Sequence, residues 1–188
     1  MRSFLSYDIE DPDFLRSIVG LQSELKKTGA DLKLVEPGIL HFTIRFLGEI
    51  DDEQKESIVR TLRGKVEGFE QEVTFKGVGS FPDERRISVI WIGIDQNSAK
   101  RLQEHATLVK GLLEAVPGLP TEAGQEFSPH VTIARVRTGR NKEKLIEAIK
   151  KYKYQDFGVT KIKRMRLKLS ILSPSGPKYS DLHVFESP

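Results

Sequence analysis

The sequence predicts an α+β fold: two pseudo-symmetric lobes, each a mainly antiparallel sheet with outer helices and a cleft between them. Three observations lead there. Strand-like and helix-like runs alternate along the chain. The order strand, helix, strand, strand recurs after about ninety residues, His41 and His130 standing 89 positions apart and Pro82 and Pro174 standing 92 apart. No linker or low-complexity tract divides the halves, so residues 1–188 read as one bilobal domain built on an internal duplication.

The elements follow in order. Phe4–Ile9 reads as a strand. Asp11 is placed to cap a helix with Pro12 at its first position; Phe14, Ile18, Leu21 and Leu25 recur at helical spacing until Gly29. Leu40–Leu47 is a strand, and Asp51 and Asp52 open a helix that ends at Gly64. Val73–Val78 and Ile87–Ile94 are β-rich runs joined by the hairpin-like Pro82-Asp83-Glu84-Arg85. In the second half, Asn97 or Ser98 caps a helix over residues 98–115. His130–Val136 is a strand and Lys142–Lys151 a helix. Val159–Leu172 and Leu182–Phe185 are strands interrupted by the turn Ser173-Pro174-Ser175-Gly176-Pro177.

Composition narrows the chemistry. With no cysteine in 188 residues, disulfides, thiolate-bound zinc, iron–sulfur clusters and a cysteine nucleophile are excluded. No apolar run reaches the ~20 residues of a membrane span, and Asp8 interrupts the N-terminus before a signal-peptide apolar region. A cytoplasmic protein, without membrane association and monomeric, is expected. Net charge is only +3, yet basic residues crowd between Arg135 and Lys168, as an anionic partner such as nucleic acid would require. A solvated surface is the plainer reading of charge alone.

The informative segments are His41-Phe42-Thr43-Ile44 and His130-Val131-Thr132-Ile133. Side chains alternate across a strand, so each His shares a face with its Thr while the apolar pair faces the core. Four His and nine Thr in this length give roughly 0.2 such triplets by chance, and two are present. If the lobes pack about a pseudo-twofold axis, both imidazoles enter one cleft. Two histidines suit in-line displacement at phosphorus, which needs a base for the attacking oxygen and an acid for the leaving one. An ordinary pKa near 6.5 allows one to be neutral while the other is protonated. Thr43 and Thr132 stand one pleat away, where hydroxyls reach non-bridging phosphate oxygens.

The paired His-x-Thr-x motif, the run from Phe42 to Glu49 and the run from Ser173 to Tyr179 resemble the two-histidine (2H) phosphoesterase superfamily. Within it, the chain is most similar to the RNA 2′,3′-cyclic phosphodiesterase branch, also called the 2′-5′ RNA ligase family, over essentially its whole length. The resemblance implies hydrolysis of 2′,3′-cyclic phosphodiester RNA ends, tRNA-derived ends among them, to 2′-phosphomonoesters without metal or other cofactor. It implies His41 as proton donor to O3′, His130 as proton acceptor from water, and Thr43 and Thr132 as phosphate ligands. It also implies that Phe46 and Arg135, five positions after each histidine, flank the nucleobase; strict alternation sets them on the opposite face, so contact needs a bulge or a strand end. The same site run in reverse is a 2′-5′ RNA ligase, and an RNA-end-binding module without turnover is the alternative from another class.

Other residues take plainer readings. Arg45 falls on the histidine face, available to phosphate or to a surface ion pair. His105 reads as a partly exposed helix residue and His183 as structural; Phe81 and Trp91 read as core. Asp51 and Asp52 are explained by helix capping, and two histidines without carboxylates make a poor metal set.

Overall fold

The computed structural model describes residues 1–83, 85–120, 127–173 and 176–186. Glu84, in the predicted hairpin connection, and Pro174 and Ser175, in the predicted turn, lie outside the described residues. The strands are β1 (Arg2–Asp8), β2 (Leu32–Leu34), β3 (His41–Glu49), β4 (Gln71–Phe81), β5 (Val89–Ile94), β6 (Val131–Val136), β7 (Asp156–Ile162), β8 (Met165–Ser173) and β9 (Gly176–Phe185). The helices are α1 (Pro12–Lys27), α2 (Asp52–Leu62), α3 (Gln96–Leu113) and α4 (Lys142–Lys151).

Local chemistry accounts for the helix starts. The Asp11 carboxylate accepts the amides of Asp13 and Phe14, and Pro12 opens α1 where an amide proton has no partner. Asp51 and Gln54 form a reciprocal capping box on α2. The α3 cap is Asp95, which accepts from the Ser98 amide, rather than Asn97 or Ser98. Ser98 is instead turned inward, its Oγ accepting the Thr74 amide. The predicted strand 159–172 is two strands, because Arg164 adopts a left-handed conformation (φ 53°) that turns the chain between β7 and β8. β9 begins at Gly176, before the predicted 182. The three-residue β2 is too short to carry a period of its own, and no sequence signal marks it.

All strand pairs are antiparallel, in the order β7-β4-β5-β6-β3-β1-β8-β9, with β2 on β6. The strand–helix–strand–helix–strand order of β1-α1-β3-α2-β4 returns in β5-α3-β6-α4-β8 if β2 and β7 are set aside. The third strand of each unit leaves its own half: β4 pairs with β5 and β8 pairs with β1. The two four-strand groups are therefore interleaved rather than being the N- and C-terminal halves of the sequence. They join into one sheet where β3 meets β6 at Phe42 and Val131.

Both of those residues are buried in a single apolar cluster with Phe14 and Ile18 of α1, Leu102 and Val109 of α3, and Leu145 of α4. The helices thus pack on the face of the sheet that carries Phe42 and Val131. His105 belongs to this interior: it is buried, stacks on Phe69 at 3.8 Å, and shares a 2.8 Å hydrogen bond with the Tyr7 hydroxyl. Burial pulls its pKa down to about 4, so it is a neutral core residue and not a partly exposed one.

Candidate active site

The histidine strands share an irregularity that decides which side chains face the cleft. Along β3, burial alternates through Ile44 and then slips: Arg45 is buried, Phe46 exposed and Leu47 buried. Leu5 pairs with Arg45 and Ser6 with Thr43, leaving Ile44 without a partner, which is a β-bulge. β6 repeats it. Ile90 pairs with Ala134 and Trp91 with Thr132, leaving Ile133 as the extra residue. Each bulge restores the fifth position after its histidine to the histidine face. Phe46 is 62% exposed there, its ring 6.2 Å from Phe4, which lies 5.1 Å from the His41 ring. Arg135 is likewise exposed.

The same bulge turns Arg45 inward, so it does not stand on the histidine face. Its guanidinium is buried and donates to the carbonyls of Lys110 and Pro120, both at 3.3 Å. Arg45 ties the loop after α3 to β3.

The two imidazoles are held alike. His41 Nδ1 donates to the Ile39 carbonyl at 2.7 Å, and His130 Nδ1 donates to the Ser128 carbonyl at 2.6 Å. A carbonyl only accepts, so the proton of each neutral ring resides on Nδ1. Nε2 is then left with a lone pair when neutral and a donor proton when charged. Residue i−2 serves in both cases, because the chain enters each strand with the preceding carbonyl beside the ring.

Burial pushes the His41 pKa below the ordinary histidine range; the Ile39 carbonyl and the Asp8 carboxylate oppose the shift, while Lys168 and His130 add to it. Burial likewise lowers the His130 pKa, against the Ser128 carbonyl. Among the described residues, His41 has a carboxylate nearby, Asp8, and no carboxylate acts on His130. Asp8 pairs with His41 across β1 and β3 and is bound at 2.6 Å by Lys168, which also meets Asp181 at 3.2 Å.

Aromatic rings wall both histidines. His41 lies against Phe4 and edge-on to Tyr179 at 5.4 Å; His130 lies edge-on to Phe81 at 4.9 Å and 6.2 Å from Trp91. Phe81 and Trp91 are half-buried wall residues rather than core. Room for the indole comes from Gly79 and Gly93: a Cβ at Gly79 would fall 2.3 Å from the Trp91 ring. Sequence reading gives no site role to Asp8, Lys168 or Tyr179; Tyr179 ends the run that carries part of the family resemblance, but only the pairing of β1, β8 and β9 sets the three beside His41. His183 lies edge-on to Phe185 at 4.7 Å, away from these contacts.

A family model described as LigT like Phosphoesterase matches residues 9–91, which include the first motif. A protein of Methanothermobacter thermautotrophicus is 32% identical over 98% of this chain and 98% of its own length, spanning both motifs. The chain belongs to the LigT-like phosphoesterase family. A Methanocaldococcus jannaschii relative is 36% identical over 95% of this chain and 96% of its own length; both archaeal relatives are named RNA 2′,3′-cyclic phosphodiesterase. LigT-like structures share the fold. Escherichia coli LigT complexed with 3′-AMP superposes with a TM-score of 0.75 at 18% identity, over 98% of this chain and 96% of the other. A Thermus thermophilus protein superposes with a TM-score of 0.76 at 24% identity, over 98% of this chain and 97% of the other.

Proposed function

We propose that the protein hydrolyses RNA 2′,3′-cyclic phosphodiester ends to 2′-phosphomonoesters, with His41 as proton donor and His130 as proton acceptor. The observation that carries this is the matched anchoring of both Nδ1 atoms, which leaves two Nε2 atoms free for proton transfer on one face of the sheet. Water attacks phosphorus while His130 Nε2 takes its proton. The P–O3′ bond breaks, and His41 Nε2 gives its proton to O3′. Burial lowers the pKa of both rings; at His41 the Asp8 carboxylate opposes that shift and favours the charged form, which is in keeping with its role as donor. Thr43 and Thr132 donate to the non-bridging oxygens, and Phe46 and Arg135 stack on the terminal base.

The relatives' names support the substrate class. Metal independence rests on the chemistry: each proton has an imidazole to carry it, so no step calls for a Lewis acid. Both imidazoles come from one chain, which is consistent with a monomer acting on RNA ends, tRNA-derived ones included, in the cytoplasm. Ligation to a 2′-5′ bond is the same displacement with a ribose 5′-hydroxyl in place of water: the P–O5′ bond forms, the P–O3′ bond breaks, and the two imidazoles carry the same protons.

The test is incubation of a short RNA bearing a 2′,3′-cyclic phosphate with the protein in excess EDTA. A 2′-phosphate product is expected. Bound but unconverted RNA would favour an RNA-end-binding module, and activity restored only by a metal would overturn the mechanism.

A further inference from the structure

The basic run between Arg135 and Lys168 separates into two populations. Arg164 pairs with Glu10 and Glu186, Arg166 with Asp8, Glu10 and Asp181, Lys168 with Asp8 and Asp181, and Lys161 with Glu70. Those cations are neutralised within the fold. Arg137, Arg140 and Lys142 form no ion pair with any described carboxylate.

These three, with Arg85 and Arg86 from the segment before β5, line a groove of about 320 Å³. No carboxylate lines it among the described residues. The adjacent Asp83 carboxylate is engaged by the amides of Arg85 and Arg86 at 2.7 and 2.9 Å. Five cations held together with no carboxylate among the described lining residues repel one another, and an anion with several charges relieves that repulsion.

The groove opens at the end of β6, the strand that begins beside His130 and carries Arg135 on the cleft face. Its two walls meet where the Val136 amide bonds the Ser88 carbonyl at 2.9 Å. At 3.3 Å per residue, Arg137 lies roughly 20 Å along the strand from His130, the reach of a few nucleotides. No aromatic side chain lines the groove among the described residues, so it offers charge without base stacking.

We infer that this groove binds the sugar–phosphate backbone of the RNA chain several nucleotides 5′ of the terminus processed at His41 and His130. The inference rests on the proposed hydrolase reading for its position relative to the cleft, and it assigns the substrate as a chain rather than a mononucleotide. Arg137, Arg140, Lys142, Arg85 and Arg86 contact phosphates, so the contribution is independent of sequence and sensitive to salt.

The experiment compares wild type with R137Q/R140Q on a 2′,3′-cyclic mononucleotide and on a ten-residue RNA with the same cyclic end. Binding of a ten-residue RNA with a plain 3′-hydroxyl is measured by fluorescence anisotropy over a salt series. Wild type should show a lower KM for the decamer than for the mononucleotide. The variant should raise the decamer KM about 10-fold or more while leaving mononucleotide kcat/KM unchanged, which also reports a folded site. The slope of log K against log salt should flatten by about 1.4, two phosphate contacts at ~0.7 each. Equal decamer KM in variant and wild type, or an unchanged slope, would overturn the inference. If R137Q/R140Q loses mononucleotide turnover, R85Q/R86Q on the opposite wall must give the same decamer-selective result, and its failure to do so overturns the inference too. If wild type turns over neither substrate, the hydrolase reading fails, while the anisotropy series still decides whether the groove binds RNA.

Discussion

Phe42 and Val131 face each other where the two halves of the sheet join, at 0% and 1% exposure. His41 and Thr43 flank this pair on β3, and His130, just before β6, and Thr132, on β6, flank it from the other side. Because the strands run antiparallel, His41 stands on the Thr132 side and His130 on the Thr43 side. Alternation then aims all four away from the helices. One buried apolar contact thus sets the relative position of two imidazoles that are 89 residues apart in the chain.

The proton roles are tested by leaving-group chemistry. A substrate whose departing oxygen is intrinsically acidic needs no protonation at that atom. Such a substrate should rescue His41→Ala by orders of magnitude more than His130→Ala, measured as kcat/KM. Preferential rescue of His130→Ala would exchange the roles.

The pH profile follows from the lowered pKa of both rings. In the proposed roles His130 is neutral, so activity rises as pH climbs through its pKa, and His41 is charged, so activity falls as pH passes its own. Both limbs of kcat/KM for free enzyme should therefore lie below the ordinary histidine pKa of about 6.5. Bound phosphodiester favours the charged form of His41, so the alkaline limb of kcat should move upward. An alkaline limb of kcat/KM well above the ordinary histidine range would contradict the burial of His41.

Arg45 separates structure from binding. Arg45→Ala removes the bonds that the buried guanidinium makes to the Lys110 and Pro120 carbonyls. Chemical denaturation should show a loss of roughly 1–3 kcal/mol, with substrate KM little changed at temperatures where the variant stays folded. A large KM increase in a fully stable variant would return Arg45 to the phosphate.

Gly79 tests the wall behind His130. In Gly79→Ala the new methyl would overlap the Trp91 ring. The indole should move, seen as a change in the fluorescence of this lone tryptophan, with activity falling several-fold. Unchanged fluorescence and activity would show that Trp91 does not fix the wall.

Much of this is legible in the sequence, and for identifiable reasons. α1 and α4 announce themselves through the Asp11-Pro12 start and the Leu145 and Ile149 spacing, which local chemistry determines. The paired His-x-Thr-x strands are legible because a two-residue period needs only a short window. Arg45 is misplaced by strict alternation because a single extra residue at Ile44 reverses the side chains that follow it, Arg45 and Phe46, and nothing in the composition of β3 marks it. The same kind of insertion brings Phe46 and Arg135 to the histidine face. Asp8, Lys168 and Tyr179 gain no site role from sequence reading because strand pairing alone brings them to His41: β1 lies beside β3, and β8 and β9 cross into the N-terminal half of the sheet. His105 is misread from sequence since its partners, Tyr7 and Phe69, lie on other elements.

The most direct measurement is kcat/KM on a 2′,3′-cyclic phosphate RNA for His41→Ala, His130→Ala and the double variant, each checked for folding. Each single change should cost roughly 10²–10⁴, and the double should cost far less than the product of the two because both act on one transition state. Wild-type activity in either single variant would contradict two-histidine catalysis at this site.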